Sequence, residues 1–242
     1  MSNDDKQAAA RIGRRAVLAW GGALAAGLAG GYAYGGRRTA TATDLDDQLE
    51  ADRIKGNAAG LAAGIVEGEA LAWSGGYGWA DIEAQRPMTL ATLMNIASIS
   101  KTVTATAVMQ LWEAGKFRLD DDVRTMVPWE LRHPGHPDAP ITVRQLLAHT
   151  SSIRDGDAYG ESYACGDPTV TLAKWIEGYF TPAGAYFDAG QNFYAKPPGS
   201  RKIYSNVGFG LLGYLVEVLA EMPFATYCRD RIFEPLGMTR YP

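Results

Sequence analysis

Ser98 and Lys101 stand three residues apart in the run Asn95-Ile96-Ala97-Ser98-Ile99-Ser100-Lys101. A serine hydroxyl is a weak nucleophile until a neighbouring base removes its proton. A lysine amine can be that base if burial lowers its pKa enough to leave it neutral. Residues three apart on a helix share a face, so the two side chains can meet. The only Tyr-x-Asn in the chain, Tyr204-Ser205-Asn206, offers a second proton-handling group and an amide. It follows a Pro198-Gly199 turn and precedes a long apolar run.

The element that must position Ser98 is a helix. From Ser98 to Ala114 there is no Gly or Pro, and Val103, Ala107, Met109, Leu111 and Trp112 form a broad apolar face. Gly115 supplies the stop. The spacing predicts one helix with Ser98 in its first turn, where free backbone N–H groups favour developing negative charge.

Ser-x-x-Lys at a helix start is a signature of penicillin-binding proteins and serine β-lactamases. The surrounding segments resemble the class C β-lactamase branch with its related DD-peptidases and esterases. They are 75–81, 96–101, 115–121, 141–151, 198–206 and 235–238, in the family's order. The resemblance implies an α+β (α/β/α) fold, an antiparallel sheet flanked by helices with a mostly helical subdomain. It also implies that Ser98 forms an acyl-enzyme, that Lys101 and Tyr204 share the proton work, and that Asn206 binds substrate or orients Lys101. An unperturbed phenol titrates near 10, so Tyr204 needs a cationic neighbour to be a useful base. The Ser98 N–H would form half of the oxyanion hole. The other half belongs in the family to a later strand with Lys-Thr-Gly or His-x-Gly, and neither follows Tyr204 here. The expectation is a chain incomplete at its C-terminus, with C-terminal strands missing and weakened activity.

Composition narrows the remaining classes. With 47% hydrophobic and 21% charged residues, 242 residues suit one globular domain with a sizeable core plus a short extra segment. A net charge of −4 without a Lys/Arg cluster on a helix face argues against a nucleic-acid surface. His133 and His136 lie in a Pro-rich loop without partner cysteines, so no metal or other cofactor is expected. Cys165 and Cys228 read as two isolated thiols, with a disulfide as the alternative.

Residues 1–15 end in Gly13-Arg14-Arg15, and Ala16 to Gly36 run uncharged for 21 residues, seven of them Gly. This looks like a twin-arginine export signal over 1–42, with an uncleaved membrane anchor as the alternative. Export to the periplasm or another extracytoplasmic site follows from either. The domain proper is read as 43–242. It should open with a charged helix over 43–56 and a hairpin of 61–66 and 70–74. Residues 119–140 read as loop, Thr142 as a cap, and Asp167-Pro168 as the start of a helix through Tyr179.

His149-Thr150-Ser151 invites a Ser-His reading, but in the resembling family this segment is structural. That family commonly has Gly where Ser152 stands, so the backbone angle there is expected to differ. Residues 154–196 are aromatic-rich and the least family-like part. Two functions from different classes stand at this point. One is a serine hydrolase acting on β-lactams, peptidoglycan-like peptides or small esters. The other is a non-catalytic member that binds cell-wall peptide or a protein partner.

Overall fold

The computed structural model describes residues 42–166 and 168–238. The export segment and Asp167 lie outside the described residues. The described chain divides into two compact units that meet between Thr92 and Leu93.

In the first unit, helix α1 (Ala42–Lys55) leads into strands β1 (Gly60–Glu67), β2 (Ala70–Asp81) and β3 (Arg86–Pro87), which form an antiparallel sheet in that order. The hairpin is longer than its apolar runs suggest, because pairing continues from Glu67–Ala70 to Gly60–Gly78, with a bulge at Ile65/Val66. Gly78 is dictated by geometry. Its φ is +68°, and a Cβ there would stand 2.3 Å from the Ala59 carbonyl. Arg53 ends α1 by gripping Glu50 at 2.6 and 2.7 Å and donating to the Ala58 carbonyl at 2.8 Å.

The second unit is mostly helical. Helix α2 (Ser100–Glu113) packs Ala107, Val108 and Leu111 into one core with Val207, Leu211, Leu212, Leu215 and Val216 of a later helix. Burying each large aliphatic side chain contributes about 1.5–3 kcal/mol. Residues 119–140 are mostly loop, as the sequence suggests, with one 3₁₀ turn, Val123–Thr125. Val123, Val127 and Leu131 are buried and anchor this otherwise largely exposed loop to the core. Helix α3 (Val143–Leu147) begins with a capping box. Thr142 Oγ1 accepts from Gln145 N at 3.2 Å, and Gln145 Oε1 accepts from Thr142 N at 3.0 Å.

Beyond Ser152 come short helix α4 (Asp157–Glu161) and helix α5 (Leu172–Phe180). The expected start at Asp167-Pro168 is corrected. The helix begins four residues after Pro168, where Thr171 Oγ1 accepts from Lys174 N at 3.4 Å. A cap hydroxyl fixes a helix start more strongly than a proline, which only tolerates one. Ile176, Tyr179 and Phe180 bury one face of α5, and Trp129 stacks on Phe180 and on Tyr214. After short helix α6 (Ala189–Asn192), the core helix α7 (Asn206–Ala220) follows. Helix α8 (Phe224–Cys228) continues as a π-helical turn, Arg229–Phe233, and a 3₁₀ turn, Glu234–Leu236, instead of one α-helix. The cysteines are unpaired, Cys165 exposed and Cys228 buried.

Candidate active site

Ser98 does not sit in the first turn of α2, as its spacing suggests. It occupies a 3₁₀ turn, Ala97–Ile99, that runs directly into α2 at Ser100. The entry is sharp. Ala97 takes φ +43°, a conformation that costs an L-residue energy, and Asn95 Oδ1 accepts from its N–H at 2.7 Å. The turn leaves Ser98 exposed at the start of a helix that buries one face, Thr104, Ala107, Val108 and Leu111. One turn of helix then returns Lys101 to the same face, with Nζ 3.4 Å from Ser98 Oγ.

The second segment arrives from the start of α7. Tyr204 lies just before the helix, Ser205 is its N-cap and Asn206 is its first residue. The Tyr204 hydroxyl is 2.6 Å from Ser98 Oγ. Lys101 Nζ donates to Asn206 Oδ1 at 2.5 Å and lies 4.8 Å from the centre of the Tyr204 ring and 5.8 Å from that of Phe209. The structure thus brings together all four residues singled out by the motifs. Lys101 first, and the Ser98 hydroxyl second, hold the Tyr204 phenol below its ordinary value near 10.

Two further residues grip this segment. His149 Nδ1 accepts from the Ser205 N–H at 3.2 Å, which fixes the neutral Nε2–H tautomer. Its ring packs against Tyr204 and Phe209, with centroids 4.4 and 4.9 Å apart. Burial first, and then the positive charges of Lys101 and Lys202, push the imidazole below its usual range. His149 is therefore a neutral packing support for the Tyr204 ring.

The other residue is Asp155. Its Oδ1 accepts from Ser205 Oγ and Val207 N, both at 2.9 Å, and its Oδ2 accepts from Asn206 N at 2.9 Å and Asn206 Nδ2 at 2.7 Å. The sequence does not single out Asp155, since a lone Asp in an irregular stretch carries no spacing signal. Its one cue was position, shortly after His149-Thr150-Ser151.

The turn between these two residues departs from expectation. Ser152 stands at φ +62°, the region that favours glycine, so the serine does not change the angle of this turn. His149 is also left-handed, at φ +57°. Backbone bonds from Ile203 N to His149 O and from Tyr194 N to Ser152 O, at 2.7 and 2.8 Å, hold the turn in place. Tertiary pairing has overridden local preference there.

Residues 45–241 match the family model described as Beta-lactamase. Penicillin-binding protein 4 of Amycolatopsis lactamdurans is 32% identical over 62% of this chain and 36% of its own length. The octameric penicillin-binding protein homologue from Pyrococcus abyssi is 30% identical, with a TM-score of 0.66 over 82% of this chain and 43% of its own. The D-amino acid amidase from Ochrobactrum anthropi SV3, solved with L-phenylalanine amide, is 27% identical. Its TM-score is 0.62 over 81% of this chain and 52% of its own. The chain spans a little more than a third of the length of the curated relatives it matches.

Proposed function

This chain belongs to the β-lactamase family of serine hydrolases, and on that premise we propose that it acts on amides or esters through an acyl-enzyme on Ser98. The observation that carries the proposal is the pair of groups converging on one oxygen. Ser98 Oγ has the Tyr204 hydroxyl at 2.6 Å and Lys101 Nζ at 3.4 Å. A serine that only capped a helix would have no need of either.

With both neighbours fully protonated, Ser98 Oγ receives hydrogen bonds and has nowhere to send its own proton. The working state therefore lacks one proton, shared between the phenol and the amine. Ser98 Oγ then attacks the substrate carbonyl carbon as its proton passes to Tyr204 or Lys101. The carbonyl electron pair moves to oxygen, where the Ser98 N–H would donate as half of an oxyanion hole. Collapse breaks the bond to the leaving amine or alcohol, which takes the transferred proton. Water attacks the ester by the same route in reverse and frees Ser98. Asn206 keeps Lys101 Nζ directed at this exchange.

Small peptide-like amides, esters and β-lactams are the substrate classes proposed. The likeness to a penicillin-binding protein and to a D-amino acid amidase supports them. Arg14-Arg15 and the uncharged stretch after them support export by the twin-arginine route.

Intact-mass spectrometry of the full chain after incubation with a penicillin or a fluorophosphonate tests the chemistry. One covalent adduct is expected, absent in Ser98→Ala. An adduct that persists in that variant, or that maps to Ser100 or Ser151, overturns the assignment.

A further inference from the structure

We propose that Asp155 is the positioning residue of this site, holding the Asn206 side-chain amide with its oxygen toward Lys101. The inference rests on the serine-hydrolase reading for its consequence, but its geometry stands on separate contacts. An asparagine amide has one acceptor end and one donor end, nearly identical in shape. Only the oxygen can receive an N–H of the Lys101 ammonium. The flipped amide would set two donors against a cation. Something must therefore choose the orientation, and the Asn206 Nδ2 bond to Asp155 Oδ2 at 2.7 Å does so.

The carboxylate suits this task for a countable reason. It accepts from four donors, Ser205 Oγ, Asn206 N, Asn206 Nδ2 and Val207 N. An ionised carboxylate has about four lone-pair sites and no donor, so all four bonds are made and none is opposed. Two of the donors are backbone N–H groups at the start of α7, where negative charge is favoured. One group therefore anchors the helix and orients its first side chain.

Asp155 is itself held from behind. The buried Tyr179 hydroxyl donates to the Arg154 carbonyl at 2.9 Å and accepts from the Gly156 N–H at 2.7 Å, gripping both peptide groups that flank it. The Asn192 carbonyl accepts from Arg154 N at 2.9 Å. Gly156 allows this closeness, because a Cβ there would stand 2.7 Å from Asn192 Oδ1 and 3.1 Å from the Tyr179 hydroxyl. The aromatic-rich stretch thus reaches the nucleophile through Tyr179, Asp155, Asn206 and Lys101 in turn.

Asp155→Asn is the decisive variant, since it keeps size but replaces two acceptor sites by a donor. Whichever way the new amide points, it faces an N–H of Asn206 or Val207. Ser205→Ala is its control, because it weakens the same helix cap without touching the Asn206 amide. In the full chain, the rate of Ser98 labelling by a fluorescent penicillin should fall on the order of 10- to 100-fold in Asp155→Asn. Ser205→Ala should lower Tm while labelling at close to the parent rate. Equal labelling by Asp155→Asn and the parent overturns the proposal, as does an equal loss in Ser205→Ala at matched Tm.

A readout independent of activity separates this inference from the reading it rests on. The side-chain amide signal of Asn206, identified by its loss in Asn206→Ala, should be shifted downfield and slow to exchange in the parent. It should move in Asp155→Asn. If the parent is never labelled, the hydrolase reading fails and this amide signal alone decides the role of Asp155. If Asp155→Asn does not fold, fast exchange of the amide in the parent overturns the proposal and slow exchange supports it.

Discussion

The Tyr204 hydroxyl stands 2.6 Å from Ser98 Oγ, joining two side chains 106 residues apart in the sequence. Tyr204 is half exposed and its phenol is depressed chiefly by Lys101, so its role should be separable from stability. Tyr204→Phe should keep its Tm and lose about 10²–10⁴ in the rate of Ser98 acylation. The parent rate should fall as pH drops and the phenol takes up its proton, with the midpoint of that limb below 10. That limb should vanish in the variant. Near-normal acylation by Tyr204→Phe would remove the phenol from the mechanism.

Lys101→Arg should be nearly as damaging as Lys101→Ala. Arginine keeps the charge but cannot give up a proton in a protein. Its planar fork also fits poorly where one ammonium N–H meets the single oxygen of Asn206. Both variants should slow acylation on the order of 10²–10⁴. An arginine variant acylating at the parent rate would reduce the role of Lys101 to charge alone.

Ser152→Gly should raise stability. Ser152 combines φ +62° with a buried hydroxyl that has no hydrogen-bond partner. Glycine relieves both, at the expense of a more flexible unfolded chain. A net gain of about 1 kcal/mol corresponds to roughly 2–4 °C in Tm for a chain of this size. A lower Tm would mean that the added freedom of the unfolded chain outweighs the strain and the unpaired hydroxyl at Ser152.

Stability should decline on the acid side of neutrality through two histidines. Buried His133 donates from Nε2 to the Tyr194 carbonyl at 2.8 Å and accepts from Gly135 N–H on Nδ1 at 3.1 Å, an arrangement only the neutral ring can make. Burial lowers its pKa in the fold, as it does that of His149. The unfolded chain therefore takes up these protons first. The contribution is complete above about pH 6.5 and is lost as pH falls through the lower folded values. Thermal unfolding between about pH 8 and 5 should show this loss, reduced in His133→Gln. A Tm flat across that window in the parent would contradict the burial argument.

Export should require Arg14 and Arg15. Residues 1–45 fused to a reporter active only outside the cytoplasm should lose signal when both arginines become lysine. Undiminished export would exclude the twin-arginine route.

The chemical groups of the candidate site are legible in the chain because they form two pairs, each set by local spacing. Ser98 and Lys101 lie one helical turn apart, and Tyr204 and Asn206 stand at one helix start, so short-range geometry nearly fixes each pair. The hairpin, the core face of α2 and the Thr142 cap follow from periodicity and local hydrogen bonding in the same way. What joins the two pairs is not local. It depends on α2 and α7 burying their apolar faces together, an energy that no window of sequence contains. The left-handed turns at His149 and Ser152, the burial of Val123, Val127 and Leu131 and the four bonds to Asp155 share that origin. Each is locally neutral or unfavourable, and each is stable because the packed core leaves its backbone and polar groups no better partner.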